Sequence, residues 1–187
     1  MIDVRKNFAD HVSVITGLEA LADRIEDAAN RIVHCLEEGG KILWMGNGGS
    51  AADAQHMAAE IVGRFVKERP GLPSIALTVD TSILTAIGND YGYEHVFARQ
   101  IQALGDPGDL VVAISTSGNS GNVLQALSVA RDLSMVTIGL TGEGGGKMAE
   151  AVDVLIDVPS KMTARIQEAH LLIEHIFCEA VDSAFAQ

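Results

Sequence analysis

Two short apolar runs, each ending in a polar cluster that opens a helix-like stretch, constrain the fold of this chain most. Lys41-Ile42-Leu43-Trp44-Met45 leads into Gly46-Asn47-Gly48-Gly49-Ser50, and Asp109-Leu110-Val111-Val112-Ala113-Ile114 leads into Ser115-Thr116-Ser117-Gly118-Asn119-Ser120. Runs so short, so apolar and bounded by turn formers predict strands of a parallel sheet buried on both faces. Each strand then delivers its polar loop to the same edge of the sheet, where open α/β folds bind their ligands. Glycine lets the backbone approach a ligand closely, while helix N-terminal amides and hydroxyls bond phosphate oxygens without a lysine. Together the two loops predict a phosphosugar pocket.

The remaining chain alternates in the same way. Helical spacing of Val14, Leu18, Leu21, Ile25, Ala28, Ile32 and Leu36, interrupted near Thr16-Gly17, predicts two helices before the first strand. Further helices are expected over 51–65, 81–87, 94–104, 121–133 and 163–184, and strands over 74–77, 135–140 and 153–157. Gly88-Asn89-Asp90-Tyr91-Gly92 reads as a polar turn, and Gly142-Glu143-Gly144-Gly145-Gly146 as a glycine-rich loop. This order predicts an α/β protein: a three-layer αβα sandwich around a five-stranded parallel sheet, one domain over residues 1–187. Residues 1–38 and the closing helix carry more apolar surface than one side of a small sheet can cover, so they are expected to pack against neighbouring subunits.

A balance of 13 Lys+Arg against 25 Asp+Glu, a formal charge of -12, disfavours binding to nucleic acid or to an anionic membrane. The first residues lack the apolar core of a signal peptide, and no apolar run approaches the roughly 20 residues that span a bilayer, so a cytoplasmic location is expected. Cys35 and Cys178 lie far apart without metal-finger spacing and read as buried free thiols.

His56 and Glu60 stand four residues apart on the helix opened by the first loop, roughly 40° and 6 Å apart on one face, a spacing suited to a metal or proton-transfer site as well as to a solvated polar stripe. Gln167 and His175 lie eight residues apart in the last helix, roughly 80° around its axis. The two helices could together supply a nitrogen and oxygen set acceptable to zinc. His170 competes with His175 for that role, Asn89 and Asp90 read first as a cap or an Asx turn and second as ligands, and Arg64 as a substrate contact or an ordinary surface arginine.

These residues stand in the order found in the sugar isomerase (SIS) family. Gly46 to His56, Ala59-Glu60 to Gly63-Arg64-Phe65, Asn89 to Tyr93, Ile114 to Ser120 and Arg165-Ile166-Gln167-Glu168 carry the resemblance, which runs over nearly the whole chain and is strongest to the branch that isomerises heptose phosphates. It implies a flavodoxin-like fold and conversion of D-sedoheptulose 7-phosphate to D-glycero-D-manno-heptose 7-phosphate through an enediol, the first step of bacterial ADP/GDP-heptose biosynthesis. By the same resemblance Asn47, Gly48, Gly49, Ser50, Glu60, Asn89, Asp90, Ser115, Thr116, Ser117, Ser120 and Gln167 contact the sugar phosphate. His56, Glu60, Gln167 and His175 match the family's zinc positions, one ion per subunit, and Glu60 and His175 its catalytic pair. The family implies a homotetramer with sites completed across subunit boundaries. Ala164 stands where some members carry a polar residue or proline. The competing resemblance is to a non-catalytic adaptor of the same fold, the DnaA initiator-associating protein, which shares Glu68-Arg69-Pro70 and Arg165-Ile166-Gln167 but lacks the pair found here as Glu60 and His175.

Overall fold

The computed structural model describes residues 2–186; Met1 and Gln187, the ends of the 1–187 span, lie outside the described residues. Helices α1 (Val4–Gly17) and α2 (Ala22–Glu37), joined by a 3-10 turn at Leu18–Leu21, precede β1 (Ile42–Gly46). Then follow α3 (Gly49–Val62), β2 (Ser74–Ala76), α4 (Thr81–Asp90), α5 (Ala98–Leu104), β3 (Leu110–Ser115), α6 (Gly121–Asp132), β4 (Val136–Thr141), β5 (Val154–Asp157) and the long α7 (Thr163–Phe185). The five strands are all parallel, in the order β2-β1-β3-β4-β5. The chain therefore leaves the two sides of β1 in opposite directions, and the crevice between the ends of β1 and β3 is the switch point at which such sheets bind ligands.

Side chains alternate across the strands, so each strand feeds both faces. Ile42, Trp44, Leu110, Val112, Ile114, Ile138 and Leu140 pack with α2, α3 and α7 on one face. Leu43, Met45, Val111 and Ala113 pack with α5 and α6 on the other. Trp44 is fully buried, and its indole N–H donates to the Ser74 hydroxyl at 2.8 Å, which satisfies its polar atom inside the core. Both cysteines are buried free thiols, as expected.

Two segments depart from the sequence expectations. Asn89 and Asp90 are the last residues of α4 rather than part of a turn, because the helix continues through Gly88 and closes with the Tyr91 amide on the Ile87 carbonyl. The segment 94–104 is not one helix: a 3-10 turn at Tyr93–His95 is separated from α5 by Val96 and Phe97, whose side chains turn into the core. Gln100 braces that bend by donating to the carbonyls of Val96 and Leu77. Among the described residues no helix is long and apolar enough to cross a membrane.

Candidate active site

A pocket of about 290 Å³ sits at the switch point, lined by Asn47, Gly49, Ser50, Ser115, Thr116, Ser117, Ser120, Thr163 and Gln167 together with Ile114. Three helices begin at it. Gly48, Ser120 and Met162 are the N-caps of α3, α6 and α7, and none of the three makes a side-chain cap bond. By contrast, α1 and α4 are capped by the carboxylates of Asp3 and Asp80. Uncapped N-terminal amides at a pocket, with positive dipole ends converging, form a site for an anion. The hydroxyls are already clustered for it: Ser115 Oγ lies 3.0 Å from Ser120 Oγ and 3.5 Å from Ser117 Oγ.

Backbone shape at the first loop demands glycine. Gly48 has φ +60° and ψ -119°, a region closed to L side chains. At Gly49 a Cβ would overlap the Gln167 amide, so α3 and α7 meet here without space between them. Asn47 is fixed by paired amide bonds to Asn122, each 2.9 Å, and it accepts a bond from the Tyr93 hydroxyl at 3.3 Å.

From that meeting point α3 and α7 run side by side in the same direction. Gly49 faces Gln167, the His56 and His175 rings meet edge to face at 5.3 Å between centroids, and the Cys178 thiol lies 3.7 Å from the Met57 sulfur. His56 Nε2 also bonds Glu60 Oε1 at 3.1 Å. Glu60 and His175, distant in sequence, thus both touch His56. Phe65 stacks on the other side of the His175 ring at 5.2 Å. Within one chain the cluster is partly open, with His56 and Glu60 side chains 43% and 25% exposed.

The structure divides the expected site residues into groups. Asn47, Gly49, Ser50, Ser115, Thr116, Ser117, Ser120 and Gln167 line the pocket, and Gly48 shapes its rim. His56, Glu60 and His175 form the second cluster, about 10 Å further along α3 by helical rise. Gln167 belongs to the pocket, about 12 Å of helical rise before His175. Asn89 and Asp90 are exposed, bonded to each other at 2.7 Å, and do not line the pocket within this chain. Among the described residues, no three His, Cys, Asp or Glu side chains converge as a metal site in one chain. The donor types are nevertheless those of zinc: two imidazoles and a carboxylate on facing helices.

Thr163 and Asn122 complete the site without having been singled out from sequence, and Tyr93 and Phe65, part of the motifs above, gain a place in it. Asn122 carried a visible signal, being an amide at the start of an otherwise apolar helix. His170 is not a site residue. It is fully buried, and its Nε2 pairs with the Thr141 carbonyl at 3.0 Å. Burial pulls its pKa from 6.5 down to about 4, with the Thr141 bond opposing the shift. A base depressed in this way contributes its stability above pH 6.5 and loses it as pH falls towards 4. Comparing His170→Gln with the wild type by chemical denaturation is expected to show the wild type losing roughly 3 kcal/mol relative to the variant between pH 7 and pH 4. Parallel pH profiles would contradict the burial-driven shift. Behind His175, the fully buried Glu174 carboxyl has no hydrogen-bond partner; burial, reinforced by Asp53, pushes its pKa up to about 8. At pH 7 a carboxyl raised in this way is mostly protonated.

Fold and site together define an α/β protein built to bind an anion, with a cluster of two imidazoles and a carboxylate further along two of the helices that open its pocket. The SIS domain family profile matches residues 7–142. Over 174 residues the chain is 60% identical to phosphoheptose isomerase of Thiobacillus denitrificans, covering 91% of this chain and 88% of the relative. It is 57% identical over 179 residues to phosphoheptose isomerase of Aliarcobacter butzleri, covering 95% of each. The solved phosphoheptose isomerase of Neisseria gonorrhoeae superposes with a TM-score of 0.91 at 49% identity, covering 96% of this chain and 97% of that one. The chain belongs to the SIS domain family and, within it, to the phosphoheptose isomerases.

Proposed function

We propose that this chain is a ketose–aldose isomerase that converts D-sedoheptulose 7-phosphate to D-glycero-D-manno-heptose 7-phosphate, the first step of bacterial ADP/GDP-heptose formation. The observation that carries it is the pocket ringed by three uncapped helix N-termini, two of whose helices also present Glu60 and His175. Ser115, Thr116, Ser117 and Ser120 hold the phosphate with the first amides of α3 and α6. Asn47, Gly48, Gly49, Ser50 and Gln167 contact the sugar, whereas Asn89 and Asp90 lie outside the pocket of their own chain.

Isomerisation moves one proton between C1 and C2 and another between their oxygens. Glu60 takes the carbon-bound proton from C1 and returns it to C2, while His175 serves the two oxygens. His56 bonds Glu60 and abuts His175, so it orients both, and Phe65 holds the His175 ring in place. His56, Glu60 and His175 are the residues of one chain that would hold zinc, with Gln167 set apart in the phosphate pocket; bound there, zinc would polarise the carbonyl and stabilise developing negative charge.

The working unit we propose is a cytoplasmic homotetramer whose sites are completed between protomers. Support comes from an apolar groove of about 510 Å³ between α1, α2 and α7, lined by Ile15, Leu18, Ala22, Ile25, Leu172 and Ile176 among others. The exposed Phe8 and Val12 continue this surface along α1.

A substrate panel tests the function. Sedoheptulose 7-phosphate is expected to exceed five- and six-carbon phosphosugars at least tenfold in kcat/KM, with a chelator removing turnover and zinc restoring it. Equal use of the shorter sugars would reject the heptose assignment, and chelator-insensitive turnover would reject the metal.

A further inference from the structure

Behind the acid–base cluster lies a buried ion pair that no step above uses. The Arg69 and Asp182 side chains are 0% and 2% exposed and joined at 2.8 Å between Nε and Oδ1. The rest of the guanidinium caps the end of α3, donating to the carbonyls of Glu60 and Ile61 at 2.8 Å each and to that of Pro70 at 3.0 Å. The other Asp182 oxygen accepts the amides of Val66 and Lys67 at 2.6 and 2.7 Å, fixing the segment that follows Phe65. Burial pushes the Asp182 carboxyl up, but the two amides and the guanidinium outweigh it and hold the group below the usual carboxylate range. One ion pair, anchored to α7 by Asp182, thus grips the backbone of Glu60 through Arg69 and the loop carrying the ring that stacks on His175 through Asp182 itself.

Given the isomerase function proposed above, we propose that Arg69 and Asp182 are positioning residues, which set the spacing of Glu60 and His175 by tying the end of α3 and the Phe65 loop to α7. Catalysis by proton transfer loses rate steeply with small displacements, whereas phosphate binding at the far end of the helices does not sense them. The pair therefore controls kcat and leaves KM largely alone.

Two conservative variants test this: Arg69→Lys, which keeps the charge but not the fork of donors, and Asp182→Asn, which keeps the shape but turns one acceptor into a donor facing two amides. Each is read for cooperative melting, for kcat and KM with sedoheptulose 7-phosphate, and for the His175 Hε1 proton resonance, which the Phe65 ring current displaces. In the variants that melt cooperatively, kcat is expected to fall at least tenfold with KM within threefold, and the His175 resonance in Asp182→Asn to move towards that of a Phe65→Leu variant. Unchanged kcat and an unmoved resonance in a folded variant would overturn the proposal, as would loss of folding in both variants. Absence of turnover in the wild type would instead reject the isomerase function, while the His175 resonance would still decide whether the pair positions the cluster.

Discussion

Glu60→Gln is expected to lower kcat by about 10³-fold or more while the protein still binds sedoheptulose 7-phosphate with near-wild-type affinity. The amide is isosteric with the carboxylate and retains a bond to His56 Nε2, so α3 and its contact with α7 keep their shape. What disappears is the base. The phosphate pocket is about three helical turns away on α3 and shares no side chain with this substitution. Single-turnover measurement on the purified variant, with binding followed by calorimetry, separates the two effects. Near-normal turnover would remove Glu60 from the chemistry, and loss of both binding and turnover would mean that the carboxylate holds the sugar rather than moving its proton.

His175→Ala is expected to cost about 10²-fold in kcat, less than the glutamine substitution, because water can serve the substrate oxygens more easily than it can deprotonate carbon. The substitution also frees Phe65 and His56 from their ring contacts, so a smaller loss of affinity accompanies it. If the two residues act as one unit through His56, the double variant will be scarcely slower than Glu60→Gln alone. Fully multiplicative losses would show that they work independently, and the shared contact with His56 would then be structural.

The sheet and the phosphate loops were legible in the sequence because parallel strands covered on both faces need unbroken apolar runs, and the loops that follow them need glycine and hydroxyls. Trp44 and Ile114 report the sheet; Gly48 and Ser115 report what it delivers. The role of His170, open from spacing alone, is settled by its burial. It lies within the stripe of Ile166, Ala169, Ile173 and Phe177 that faces the core, whereas His175 lies off it, next to the exposed Leu172 and Ile176. The end of α4 was not readable, since Gly88-Asn89-Asp90 has the composition of a turn, whereas the helical hydrogen bonding runs on to the Tyr91 amide. Nor was the bend at Val96-Phe97, which tertiary burial imposes on a stretch with helical spacing. Contacts across more than a hundred residues, such as Arg69 with Asp182, leave no local pattern at all.

Proton magnetic resonance of sedoheptulose 7-phosphate turning over in deuterium oxide tests the proton transfer itself. With the Glu60 side chain a quarter exposed, a proton it takes from C1 exchanges with solvent before it is returned. The aldose is therefore expected to accumulate with deuterium at C2. A heptulose that binds and stays unaltered, with its C1 hydrogens unexchanged, would contradict an enediol formed at Glu60.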